Sequence, residues 1–114
     1  MKSQNGSYWI ESKANQTLPA AAGTPAEIDV ATNAIDELHI YSLVPIKLTW
    51  SVAGDTATAA TRLADNTKHW VIPVGGEHIL HCQKMYDMDS PQSLYITSTG
   101  AASTFHYTGL QYRG

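Results

Sequence analysis

Residues 46–52 read Ile-Lys-Leu-Thr-Trp-Ser-Val, and this strict alternation constrains the fold more than any other feature of the sequence. Successive side chains on a strand point to opposite faces, so Ile46, Leu48, Trp50 and Val52 share one face while Lys47, Thr49 and Ser51 share the other. A row of large apolar groups backed by polar ones predicts a strand with one side on a core.

The same period recurs along the chain. Residues 26–30 and 38–43 alternate, Pro45 separates the second run from Ile46–Val52, and Gly54-Asp55 ends that strand. Residues 69–74 are expected as an edge strand because of Pro73. Gly75-Gly76 is a tight-hairpin signal, after which residues 77–82 return. Residues 93–98, a turn at Gly100-Ala101-Ala102 and a strand over 103–108 follow, with 110–113 as a short tail. The Thr- and Ala-rich stretch 56–63 is expected as an edge strand or a loop, and 83–92 as a loop with at most one helical turn. Short strands spaced about 8–12 residues apart predict a sandwich or barrel. The expected fold is all-β, a single antiparallel β-sandwich of jelly-roll type spanning residues 26–114. Residues 1–25 are expected as an extended N-terminal arm, in which 7–13 can form a strand. Pro19 and Pro25 then oppose a helix through the alanines between them.

With 114 residues, 43% of them hydrophobic, the chain can bury a core without staples. Its net charge of −3 and its scattered Lys and Arg lack the basic stripe of a nucleic-acid binder. No basic amphipathic helix points to a membrane surface. Cys82 is the single cysteine, so no intrachain disulfide can form. No apolar run follows the polar residues 2–7, so no signal peptide is expected, and no stretch reaches transmembrane length. A protein made in a cytoplasm is the expectation. Only 15% of residues are charged, against about 25% on average, so a surface of Ser, Thr, Ala and Gly suits a protein packed against neighbours.

The motifs that suggest chemistry do not hold together. His78-x-x-His81-Cys82 offers zinc ligands by residue type. On a strand, however, His78 and His81 face apart, and His78 and Cys82 lie roughly 13 Å from one another. Asp87-x-Asp89-Ser90 resembles a fragment of a calcium loop but lacks the glycine and the distal glutamate. Cys82 and His81 are neighbours facing apart, no nucleophile elbow is present, and Gly75-Gly76 does not precede a helix. No catalytic residue, cofactor or metal site is expected.

The large side chains are more informative. Trp50, and Trp70 with Ile72 and Val74, are expected in the core. Tyr8, Trp9 and Ile10 lie in the arm among polar and small residues, where bulky apolar groups need a surface to pack on. They are candidate interface residues, with Tyr112 at the other end of the chain and Met85, Tyr86 and Met88 in the irregular stretch 83–92.

Taken together, Ile28, Val30, residues 38–42, Ile46–Val52, the Ala/Thr stretch 56–60, Trp70-Val71-Ile72-Pro73-Val74-Gly75-Gly76, residues 94–100 and Phe105-His106-Tyr107 form a diffuse pattern. Over residues 27–112 it resembles the small β-sandwich accessory proteins of tailed bacteriophage virions, the head decoration (cement) and other minor structural proteins. The resemblance transfers no functional residue, and 83–92 has no counterpart in it. It implies a non-enzymatic structural protein of the virion that binds the major capsid protein, or another virion structural protein, in the assembled capsid and strengthens the shell. It also implies a homo-oligomer such as a trimer. A shell is stabilised by anything that binds only its assembled state. Two alternatives stand beside it. One is a head–tail connector, tail or fibre-base protein; the other is a carbohydrate-binding β-sandwich module, in which exposed aromatics would meet sugars.

Overall fold

The alternating run Ile46–Val52 is an interior strand, with a partner on each side. In the computed structural model, residues 7–30, 34–82 and 89–112 are described, with side chains from residue 12 onward. The elements are β1 (Ser7–Leu18), β2 (Ala26–Ile28), β3 (Glu37–Ser42), β4 (Ile46–Val52), α1 (Thr56–Ala64), β5 (Trp70–Ile72), β6 (Gly76–His81), β7 (Gln92–Ser98) and β8 (Ser103–Tyr112). They form two four-stranded sheets, A in the order β1-β8-β3-β6 and B in the order β2-β7-β4-β5, with antiparallel pairing throughout. Apart from β4 and β5, consecutive strands lie in different sheets. This is the strand order of a jelly roll, so the expected all-β sandwich is the observed fold.

The core lies between the sheets. Register places Leu38, Ile40, Tyr107, Phe105 and Leu80 on the inner face of sheet A, and Ile46, Leu48, Leu94 and Ile96 on the inner face of sheet B. Leu38, Ile40, Leu94 and Ile96 are fully buried, and with Leu18, Ile28, Val30, Ile35, Cys82 and others they form one cluster. Each such side chain contributes about 1.5–3 kcal/mol through the water it sheds.

Several local expectations are corrected. Residues 56–63 are neither strand nor loop but most of α1. Asp55 caps this helix, accepting from Thr58 N at 3.0 Å and from Thr58 Oγ1 at 2.7 Å. Ala59 and Leu63, one turn apart, are its buried side, and α1 packs on β4. Nor do Gly75-Gly76 make a hairpin: β5 belongs to sheet B and β6 to sheet A, so the link carries the chain from one sheet to the other. Glycine is required for other reasons. A Cβ at Gly75 would stand 2.6 Å from the carbonyl oxygen of Leu43, and Gly76 has φ +130°.

The expected arm is largely β1, hydrogen-bonded to β8 from Ser7↔Tyr112 to Leu18↔Ser103, and so belongs to the sandwich. It carries irregularities at Trp9/Glu11 and Lys13/Gln16, and Asn15 has φ 55°. Bulges of this kind discourage a free edge from pairing with another chain. The expected tail over 110–113 is, up to Tyr112, the end of β8.

Candidate binding surfaces

The outer face of sheet A is built from residues that the alternation turns away from the core. Register sets Ser12, Thr108, His39 and Ile79 in one row across the four strands. His106, Tyr41 and Glu77 form the next row, and Leu110, Glu37 and His81 the one beyond. Ser12 and Thr108 share a hydroxyl–hydroxyl hydrogen bond of 3.1 Å, and the Tyr41 and His106 rings stack at 4.7 Å. Carboxylates enter these rows only at Glu37 and Glu77, and no Lys or Arg does. A water-facing sheet ordinarily carries more charge; this one is aromatic and hydroxyl-rich.

Glu37 is itself engaged. His39 Nε2 lies 2.6 Å from its Oε1 and His81 Nδ1 lies 3.6 Å from its Oε2, while the Tyr112 hydroxyl donates to Oε2. That donation, ahead of the two imidazoles, holds the Glu37 carboxyl below its ordinary range despite some burial. The same bond pushes the Tyr112 phenol up to about 12. At one end of the face, Leu43 is 71% and Val74 62% exposed; Ile79, in its first row, is 51% exposed. A small cavity of about 140 Å³ lies there, lined by Asn15, Tyr41, Leu43, Thr104, Phe105 and His106.

A second surface lies on the β4–β5 side. Trp70 pairs with Leu48 and so points to the inner side of sheet B, but β5 is an edge strand and Trp70 remains 57% exposed. Trp50, one step along β4 on the same side, is half-buried and packs against the core. Trp70 and Val74 are therefore not core residues, contrary to expectation. The two tryptophans line a cleft of about 480 Å³ with Thr49, Arg62, Thr67, Lys68 and His69. They also line an adjoining apolar one of about 420 Å³, with Leu48, Val71, Ile72, Leu80, His81 and Leu94. The polar wall is held in place: Thr49 Oγ1 donates to the Lys68 carbonyl at 3.0 Å, the Arg62 guanidinium to the Trp50 carbonyl, and His69 Nδ1 stands 3.3 Å from the Arg62 carbonyl.

The residues singled out for chemistry do not converge. His78 faces inward opposite Ile40, its ring 3.3 Å from the Val74 carbonyl, while His81 faces out beside Glu37. Cys82 is buried, with its thiol pushed up to about 12 by that burial and then by Asp36 and Glu37. Among the described residues, no group of three or more His, Cys, Asp or Glu side chains is arranged to hold a metal ion. No described helix is long and apolar enough to cross a membrane. Of the candidate interface residues, Tyr112 lies on the outer face of sheet A, 41% exposed. Tyr8, Trp9 and Ile10 belong to β1 by backbone, their side chains lying outside the described set. Met85, Tyr86 and Met88 lie outside the described residues altogether. Sequence reasoning missed the Trp50–Trp70 cleft; the available signal was Pro73, which marks β5 as an edge whose apolar residues have no further strand to cover them.

No family model, no curated protein and no solved structure matches this chain.

Proposed function

We propose that this protein is a non-enzymatic structural component of a tailed-bacteriophage particle, a decoration protein that docks on the assembled capsid through the outer face of sheet A. The observation that carries the reading is the chemistry of that face. Its rows of Ser, Thr, His, Tyr and Ile hold two carboxylates and no Lys or Arg, and lead to Leu43 and Val74, both mostly exposed. Apolar and aromatic groups on a weakly charged surface favour burial against protein. The cavity beside Tyr41 and Leu43 offers a partner side chain a place to anchor. The sequence resemblance supplies the particle as the setting.

Two measurements test this. Mass spectrometry of purified particles, with copy number taken against the major capsid protein, should give a ratio of the order of the lattice itself. A ratio of a few copies per particle moves the protein to the neck or tail, and absence from particles sinks the reading. Rebinding to stripped particles should then be lost in Leu43→Lys/Ile79→Lys. Both side chains are exposed, so this variant should fold as the parent does.

A further inference from the structure

We infer that the Trp50–Trp70 cleft is a binding site for an acidic saccharide, independent of the docking face on sheet A. Three features carry this.

The first is the pairing of an exposed ring with polar groups. Trp70 presents more than half of its surface beside a cleft of about 480 Å³, which suits one or two sugar rings. Sugar rings carry an apolar face of C–H groups that stacks on indole, with hydroxyls around the rim for polar neighbours. Thr67, Lys68 and His69 supply such neighbours on one wall, and the apolar continuation past Val71, Ile72 and Leu80 gives the stack its floor.

The second is charge. Every charged or titratable side chain lining the polar cleft is basic: Arg62, Lys68 and His69. This is a local reversal in a chain of net charge −3. Two carboxylates stand behind this wall, Asp55 near Arg62 and Asp65 near Lys68 and His69, but the basic groups are the ones that face the cleft. Asp55 accepts from Thr58 at the start of α1 and Asp65 from Thr67 N and Oγ1 beyond its end; neither lines the cleft. A cationic wall beside an aromatic floor is complementary to a ring that bears a carboxylate.

The third is rigidity and shape. The rim is tied down by the bonds from Thr49 to the Lys68 carbonyl and from Arg62 to the Trp50 carbonyl, so little ordering is needed on binding. An extended peptide is disfavoured at this wall because β5 has only three residues and is followed by Pro73, leaving almost no free edge for strand addition.

The test uses the full chain and a tetragalacturonate probe, with maltotetraose as the neutral counterpart and a Glu- and Phe-containing hexapeptide as the competing class. Titration followed by tryptophan fluorescence and calorimetry should show saturable binding of the uronate, at least about tenfold tighter than the neutral sugar. Trp70→Ala should weaken it by about tenfold or more, as expected for loss of a stacked ring. Lys68→Gln, a change at an exposed position, should erase the preference for the acid while leaving the thermal melt unchanged. No saturable uronate binding, binding unaffected by both substitutions, or tighter binding of the peptide than of the uronate would each overturn the assignment. None of these outcomes bears on particle docking through sheet A, whose variants are at Leu43 and Ile79.

Discussion

Tyr112, near the end of β8, donates its phenol hydroxyl to the carboxylate of Glu37, the first residue of β3, on the outer face of sheet A. The bond favours ionised Glu37 and neutral Tyr112, which sets the direction of two pH effects. The folded-state pKa of Glu37 is depressed, so its contribution is complete above the ordinary carboxylate value of 4.5 and is lost as pH falls through the folded value. That of Tyr112 is raised from 10.0 to about 12, so its contribution is complete below 10 and is lost as pH rises towards 12. Tyr112→Phe should lower stability at neutral pH by about 1 kcal/mol or less, because Tyr112 is 41% exposed and water can take its place on Glu37. It should also flatten both limbs. Thermal melts of parent and variant across pH check this; curves that stay parallel count against the bond.

Gly75 should tolerate no side chain. Its Cβ would meet the backbone of Leu43 and Ser42 at 2.6–2.8 Å, and backbone cannot move aside as a flexible side chain does. Gly75→Ala should cost about 3 kcal/mol in urea unfolding, the upper end for overpacking. Gly100→Ala, whose Cβ would meet nothing within 4 Å, is the control and should be close to neutral.

Leu63 holds α1 to sheet B. It is 2% exposed, and only Ala59 shares its buried side of the helix. Leu63→Ala should destabilise the fold by about 2–5 kcal/mol through lost contact and a residual cavity. Ala60→Ser, at an exposed position of the same helix, should change little. Equal effects in chemical denaturation would mean that α1 is not docked as described.

Cys82 should be chemically silent in the native state. Buried, and with its thiol raised to about 12, it has almost no thiolate at pH 8. A thiol-specific disulfide reagent should leave it unmodified over hours and label it completely in guanidinium. Rapid native labelling would place the thiol at the surface.

The sequence made β4 legible because its apolar residues all lie on the core side and the period of two survives in them, whereas β7, buried on both faces, was legible from its β-branched and aromatic residues. It hid α1 because Thr and Ala fit helix, strand and loop alike. The distinguishing signals, Asp55 three residues before Thr58 and the spacing of four between Ala59 and Leu63, are short. It hid the sheet crossover because Gly75-Gly76 reads the same whether the next strand pairs with the last or crosses over. The end of β8 was obscured by Gly109, which interrupts the alternation because the Ile35 side chain occupies the place its Cβ would take, 2.8 Å away. As for the binding surfaces, alternation identifies which side chains leave the core. Pro73 marked β5 as an edge strand, as observed, but alternation alone still assigned Trp70 to the core, and the edge position leaves it uncovered.

The pairing of β1 with β8 has a consequence for how the molecule comes into being. The first strand of this sandwich has its backbone partners in its eighth, from Ser7 opposite Tyr112 to Leu18 opposite Ser103. During translation β1 therefore waits with its ladder unmade until the eighth strand is in place. Sheet A cannot be finished from the N-terminus forward, and closure brings together the most distant parts of the described chain, a topology that folds slowly. Once β8 has paired, the bulges and the left-handed Asn15 keep β1 from presenting a regular twelve-residue edge to a copy of itself, so the strand's protection arrives only with closure.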